Sequence, residues 1–385
     1  MNIVGIICEY NPLHNGHAYQ LRFLRERYGA DCAIVCLMSG NFVQRGQPAV
    51  FHKMVRAKAA LASGADLVLE LPVTYALSSA EGFARGGVSI LGTFCGELCF
   101  GAETGDKKSL METADALLSP EFSHSLRDFL DQGLSFPAAR QRALEGLGSD
   151  ASLLASPNDI LGVEYCKAIR ATGTSMEPLV LTRKGGYHDA LPDIENPSAT
   201  SLRTCIQNRT DISPYIPEAA APLFADALAH TLEAGERAIL ARLRTMTDAE
   251  FEALPFGSEA LWRKLMHESR RQATLEAIAA AVKSKRYTRT RIDRMVMCAF
   301  LGLTAADLDT PAPYARVLGF SDRGREALRQ AKKNGVFYNV GEKTAEPFQA
   351  IEDRCGALYG LFAQGTPENP GTEAALRVIY NKSET

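Results

Sequence analysis

His14 and His17 stand three residues apart around Gly16, directly after the apolar run Ile3-Val4-Gly5-Ile6-Ile7-Cys8 and the turn Glu9-Tyr10-Asn11-Pro12. A short buried strand that ends in a tight turn would deliver His14-Asn15-Gly16-His17 to the start of a helix. A helix N-terminus presents unpaired backbone N–H groups and the positive end of the peptide dipole, so it favours phosphate. Gly16 lets the backbone approach closely, and the two imidazoles would sit on that phosphate. The group suits attack at the α-phosphate of a nucleoside triphosphate, where positioning and charge stabilisation do most of the catalysis. Histidine is also the commonest metal ligand, but no third ligand stands nearby in the sequence.

Ser198-Ala199-Thr200-Ser201-Leu202-Arg203 forms a second candidate. Small hydroxyl residues at a helix start cap it, and they also hydrogen-bond phosphate oxygens. Arg203, one turn on, would neutralise a β- or γ-phosphate. Such a segment alone is an ordinary cap; with the histidine motif in the same half of the chain it reads as a phosphate contact. Ser156-Pro157-Asn158-Asp159 is a further capping stretch. Arg183-Lys184-Gly185-Gly186 places two cations beside a flexible pair of glycines.

The elements that must position these groups alternate strand-like and helical runs. The apolar runs Asn2–Cys8, Asp31–Met38, Asp66–Leu71, Glu97–Gly101 and Pro178–Leu181 are short and bounded by turn residues. Continuously apolar strands separated by helices predict an α/β fold with a five-stranded parallel sheet covered on both faces. Ligands bind such sheets at the carboxyl ends of the strands. His14, His17, Gly101 and Arg183 all map to that edge. Asn41, Gln44 and Arg45 leave the second strand on the same side, from where they would line an acyl or base pocket. From about residue 213 the pattern becomes helical (Pro217–Met246, Glu259–Val282, Ile292–Leu303, Gly324–Lys333). A boundary near residue 210 would divide a nucleotide-binding domain, 1–210, from an α-helical domain, 211–385.

The composition is that of a globular protein: 46% apolar, 23% charged, formal net charge −3 over 385 residues. Overall charge therefore gives no hint of nucleic acid, and any basic surface must be local. The first apolar run stops at Glu9 with no basic segment before it, and no stretch reaches the roughly 18 apolar residues that span a bilayer. A cytoplasmic protein without membrane association is expected. Among the nine cysteines, Cys32/Cys36 and Cys95/Cys99 lie four apart in strand-like runs. That spacing separates them by roughly 13 Å along a strand, too far for one metal ion or a disulfide. Reduced core thiols are expected.

One local basic surface is evident. Lys283, Lys285, Arg286, Arg289, Arg291 and Arg294 fall within twelve positions with a single Asp, around an interleaved Tyr287. Arg316, Arg323, Arg325, Arg329, Lys332 and Lys333 add a second cluster. A basic run is usually a solvated face; its concentration in an acidic chain points to RNA phosphate contact.

With these residues in view, the chain resembles the bacterial tRNA(Met) cytidine acetate ligase family, whose first domain is a Rossmann-like His-x-Gly-His nucleotidyltransferase. The resemblance runs through Gly5–Tyr19, Gly40–Gly46, Gly64–Pro72, Phe100–Glu103, Pro157-Asn158, Gly186–Asp189 and Arg286–Arg294. It implies that acetate attacks the α-phosphate of ATP to give acetyl-adenylate and pyrophosphate. The N4 amine of the wobble cytidine of elongator tRNA(Met) then takes the acetyl group, releasing AMP. By residue match it implies ATP contacts at Ile7, Cys8, Glu9, Tyr10, Asn11, Pro12 and Leu13. The same match extends through His14, Asn15, Gly16, His17, Ala18, Tyr19 and Gln20, and to Gly101, Asn158, Arg183 and Lys184. His14 and His17 would stabilise the transition state at the α-phosphate. Ser198, Thr200 and Arg203 resemble the superfamily's second phosphate motif, Ser-Ser-Thr-x-x-Arg, with Ala199 in place of the middle serine. Magnesium is expected with ATP, to neutralise the triphosphate; no carboxylate pair identifies ligands for it.

Two other functions would use parts of this sequence. A small-molecule adenylyltransferase would use the first half and leave the basic helical half idle. An RNA-binding protein with a degenerate nucleotide site would not retain His14, Gly16, His17 and Arg203 together.

Overall fold

The computed structural model describes residues 1–183, 194, 197–311, 315–333, 346–369 and 373–382. In chain order the elements that build the site are β1 (Asn2–Cys8), α1 (Asn15–Tyr28), β2 (Cys32–Ser39), α2 (Lys53–Ala62), β3 (Leu67–Leu71), α3 (Ala80–Leu91) and β4 (Glu97–Ala102). They continue with α4 (Lys107–Leu118), α5 (Pro157–Thr172), β5 (Glu177–Thr182), α6 (Ala199–Gln207), α7 (Arg289–Leu301), β6 (Arg316–Phe320) and β7 (Ile379–Tyr380). All five expected strands form within a residue or so of their predicted limits. They lie parallel in the order β5-β4-β1-β2-β3. The chain builds β1, β2 and β3 toward one side and then turns back to add β4 and β5 on the other. The switch point, where such sheets bind ligands, therefore lies between β1 and β4.

Alternation along each strand sorts its side chains onto two faces. Ile3 and Ile7 of β1, with Val35 and Leu37 of β2, join a core under α3, α4 and α5. Val4, Ile6 and Cys8, with Ile34, Cys36 and Met38, face Leu21 and Leu24 of α1 and Ala57, Ala60 and Leu61 of α2. Both faces are thus covered, which is why these strands read as continuously apolar.

Among the described residues the sheet has seven strands, two more than the sequence suggested. β6 pairs antiparallel with β3, and β7 pairs parallel with β6. Five and two residues long, they sit among helical stretches, where so short a run carries little periodic signal. Their role is to cover what would otherwise be a bare edge at β3. Asp66, buried just before β3, anchors that join. Its carboxylate accepts from the Ile34 backbone N–H (2.9 Å), Arg25 (2.5 Å), Ser321 (3.0 Å) and Arg323 (2.9 Å).

The helical expectation after residue 213 holds with two divisions. Thr231 caps Leu232–Thr245, leaving only a short turn of helix, Ala221–Ala225, before it. Thr274 caps Leu275–Val282 and separates it from Leu261–Ser269. Leu232–Thr245, Leu261–Ser269, Leu275–Val282 and α7 share a core with Phe42, Val73 and Leu77, from the segments that follow β2 and β3. The helical half is therefore packed on the edge of the sheet that carries the site. All nine cysteines are unpaired thiols; Cys95 precedes β4 rather than lying in it.

Candidate active site

β1 ends at Cys8, and the chain turns sharply through Tyr10, a buried residue at φ 46°. Its hydroxyl lies 3.4 Å from the Cys36 sulfur. Arg56 of α2, fully buried, holds this turn and the one after β2 together. It donates to the carbonyls of Glu9 (2.5 Å), Ser39 (3.1 Å), Phe51 (2.9 Å) and Gly40. A guanidinium with its donors so occupied makes the loops at the two strand ends one rigid body. Asn11 is fixed in turn, accepting at its side-chain oxygen from the Val50 backbone N–H at 2.7 Å.

His14 is the N-cap of α1 and His17 lies in its first turn. The His14 backbone N–H donates to His17 Nδ1 at 3.3 Å, which leaves Nε2 of a neutral His17 as the proton-bearing nitrogen. The two rings stack with centroids 3.7 Å apart. Gly16 leaves room for this pair, since a Cβ there would come within 3.2 Å of the His14 ring and press on it. Burial pushes the His14 imidazole down to about 3, with Arg183 and Arg203 adding to the shift. Burial, His14 and Arg183 likewise hold His17 well below the usual range. The resting pair is neutral, and the positive charge of the site is carried by the arginines.

Across from the histidines, Ser198 caps α6 by accepting from the Ser201 N–H at 3.0 Å. Arg203 donates to the Asn11 carbonyl at 2.9 Å and to the Thr200 hydroxyl at 3.0 Å. Arg183 follows β5 and packs over Gly101, where a Cβ would lie 3.0 Å from its side chain. Asn158, in the first turn of α5, donates to Glu103 Oε1 at 2.6 Å, and the Asp159 N–H donates to Oε2 at 2.9 Å.

These groups enclose a cavity of about 480 Å³ at the switch point. Ile7, Cys8, Glu9, Tyr10, Asn11, His14, His17, Gln20, Gly101, Asn158, Arg183, Ser198, Thr200 and Arg203 all line it. Pro12 and Leu13 are buried behind it. Asn15, Gly16, Ala18 and Tyr19 face a second, adjoining cavity on the other side of the histidine pair. Lys184 and the segment Gly185–Asp189 lie outside the described residues. Gln44 and Arg45 line the first cavity, whereas Asn41 is buried, its side-chain oxygen accepting from the Lys53 N–H at 2.9 Å. Phe100 and Glu103, in the segment that carries the resemblance, line the cavity too, whereas sequence reasoning missed Phe83 and Tyr165, which line it from the covering helices α3 and α5. Phe83 and Tyr165 carry no local signal, since each reads as an apolar position of its helix. Among the described residues no three His, Cys, Asp or Glu side chains converge as a metal site.

The basic run is distributed differently from its linear pattern. Lys283 and Lys285 are exposed. Arg286 pairs with Glu259 at 2.9 Å, and Arg289 pairs with Glu276 and Asp293, each at 2.8 Å. Arg291 donates to the Phe256 carbonyl and the Ser258 hydroxyl, both at 2.8 Å. Arg294 is buried and lines the cavity beside the nucleotide motifs. In the second cluster Arg316 meets Glu373, Arg323 meets Asp66, and Arg329 meets Glu326.

A histidine pair at a helix start, opposed by arginines at the switch point of a parallel sheet, is suited to binding a nucleoside phosphate. The HIGH Nucleotidyl Transferase family profile matches residues 1–373. The tRNA(Met) cytidine acetate ligase of Clostridium acetobutylicum is 37% identical over 403 residues, covering 98% of this chain and 100% of that one. This chain belongs to that family. The enzyme of the same name from Bacillus subtilis is 38% identical over 356 residues, 86% of this chain and 85% of its own. Among solved structures, apo Thermotoga maritima TmcAL superposes with a TM-score of 0.91 at 27% identity, each chain covered in full. Its form bound with alpha-thio ATP gives 0.89 over the same coverage. The family's fold thus extends over both halves, including the helices packed on the sheet edge.

Proposed function

We propose that this protein is an ATP-dependent ligase that activates acetate as acetyl-adenylate and acetylates N4 of the wobble cytidine of elongator tRNA(Met). The observation that carries this is the stacked His14–His17 pair facing Arg203 and Arg183 across one cavity, in a chain collinear with ligases of that name. Magnesium would offset the triphosphate charge if it accompanies ATP; among the described residues no His, Cys, Asp or Glu cluster would hold it. In the first step a carboxylate oxygen of acetate bonds to the α-phosphorus as the bond to the β-phosphate bridge breaks. Negative charge grows on the α-phosphate and on the leaving pyrophosphate. Arg203 and Arg183 offset it as fixed cations, and His17 Nε2–H donates a hydrogen bond. His14 and His17 lie on the helix N-terminus, so backbone dipoles act in the same direction.

In the second step the cytidine amine bonds to the acetyl carbonyl carbon, the carbonyl–phosphate oxygen bond breaks, AMP leaves, and N4 gives up one proton. The base must leave its stack to reach the cavity, as RNA readers commonly require. We place the functional division near residue 210, with ATP chemistry before it and tRNA contact after it. Of the predicted RNA cations, Lys283, Lys285 and Arg286 are the exposed ones. No helix among the described residues is long and apolar enough to cross a membrane, and ATP and tRNA locate the reaction in the cytoplasm.

Radiolabelled pyrophosphate exchange into ATP tests the proposal, with acetate present or absent and tRNA added in a second series. Acetate-dependent exchange is expected, and His17→Ala should cut it at least ~10²-fold without unfolding the protein. A stable adenylylated product, or no dependence on acetate with and without tRNA, would refute the assignment.

A further inference from the structure

Thr290 and Arg294 lie one helical turn apart on α7, yet both line the cavity that holds the histidine pair. Arg294 is only 9% exposed. Its Nε has no hydrogen-bond partner among the described residues, and its guanidinium sits 5.0 Å from the centre of the Phe256 ring. The other arginines of the same run, Arg286, Arg289 and Arg291, each meet an oxygen within the chain.

The contact that brings α7 here is tight. Gly46, at φ 74°, would place a Cβ 2.4 Å from the Arg294 backbone nitrogen. Phe42–Val43 pairs antiparallel with Gln47–Pro48, and this hairpin, whose turn carries Gln44 and Arg45, is therefore pressed against this turn of α7; Gln44, Arg45, Thr290 and Arg294 line one space. Burial lowers the Arg294 guanidinium to about 10, so it stays charged at neutral pH. A buried cation with an unmet donor is costly unless something completes it. What completes it must accept hydrogen bonds, and an anion does so best.

We infer that Arg294 receives an oxyanion inside the ATP cavity, so that the C-terminal helices complete the nucleotide site as well as meeting RNA. This rests on the function proposed above. Two oxyanions of the reaction have the right chemistry, a phosphate oxygen of ATP and the carboxylate of acetate, and the Thr290 hydroxyl offers a second donor on the same face. A tRNA backbone phosphate fits less well, because a polyanionic strand meets surface cations and Arg294 is not one.

The test is Arg294→Gln beside Arg294→Lys, each first checked by thermal melting. ATP affinity is measured by calorimetry, acetate KM by pyrophosphate exchange, and tRNA affinity by filter binding. Loss of ATP affinity of about tenfold or more in Arg294→Gln identifies the phosphate. A similar rise in acetate KM with ATP affinity intact identifies the carboxylate. Arg294→Lys, which keeps the charge and loses the fork, should recover part of either and provides the measurement if Arg294→Gln does not fold. Unchanged ATP affinity and acetate KM would overturn the inference, and so would loss of tRNA affinity alone. If the wild-type chain shows no acetate dependence while Arg294→Gln still loses ATP affinity, the ligase assignment falls and the oxyanion site stands. If neither is seen, both fall.

Discussion

Arg203 donates from Nη1 to the main-chain carbonyl of Asn11 at 2.9 Å, joining the two segments proposed to bind phosphate, 192 positions apart in sequence. The bond fixes the arginine against the turn that presents the histidines. Its second nitrogen holds Thr200, so cation and hydroxyl are set as a unit before any ligand arrives.

Arg203→Ala should therefore lower acetate-dependent pyrophosphate exchange by ~10²–10³, the range for losing one preorganised charge-stabilising group. Arg203→Lys keeps the charge but loses the two-pronged attachment and should fall between. A kcat loss larger than the KM change would identify transition-state stabilisation; a pure KM effect would assign Arg203 to ground-state binding.

The histidine pair makes stability depend on pH in a definite direction. Both imidazoles are held neutral in the fold but titrate near 6.5 when unfolded, so the unfolded chain binds more protons below that pH. Their contribution is complete above about 6.5 and is lost as pH falls from there toward 3, where His14 itself protonates. The urea midpoint should drop between pH 7 and 5, and His14→Asn should flatten that slope. Bound ATP should flatten it too, because triphosphate charge raises both imidazoles. A slope equal in the variant and the parent would contradict this account.

Glu352 predicts the opposite sign. The carboxyl of half-buried Glu352 accepts from the Val73 N–H at 2.7 Å, close to the buried Lys53–Glu70–Glu373 ion cluster. Burial first, and then Glu70, push it up to about 8. The folded state thus holds a proton that the unfolded state releases near 4.5, and stability falls as pH rises from there through 8. Glu352→Gln keeps the accepting oxygen and should be more stable than the parent at pH 8.5, with the difference vanishing near pH 4. Denaturation at the two pH values decides it.

The cations of residues 283–294 should separate into two classes. Lys283→Ala with Lys285→Ala should weaken tRNA binding and make it less sensitive to salt, the slope falling by about one for each phosphate no longer neutralised, with the melting temperature unchanged. Arg291→Ala should instead lower the melting temperature, because Arg291 holds the Phe256 carbonyl and Ser258. Melting curves and a salt titration on the same variants distinguish the two.

Local pattern made much of this molecule legible. The five parallel strands follow from apolar runs punctuated by turn residues, and the histidine motif is recognisable because a buried strand leads directly into it. What stayed hidden depends on tertiary contact. Arg294 reads as one more cation in a basic run, and only the turn of α7 pressed on Gly46 places it in the cavity. Arg286, Arg289 and Arg291 looked available because their oxygens come from other helices. β6 was missed because what makes it a strand is the open flank of β3, not its own periodicity.

That flank also has a schedule. The ribosome delivers β1 to β5 long before Arg316–Phe320 exists, so the β3 side of the sheet has no partner strand while the helices from Leu232 to Leu301 are made. Asp66 waits equally long for Ser321 and Arg323. The strand that covers β3 is thus synthesised only after Arg294 and every other residue that lines the cavity.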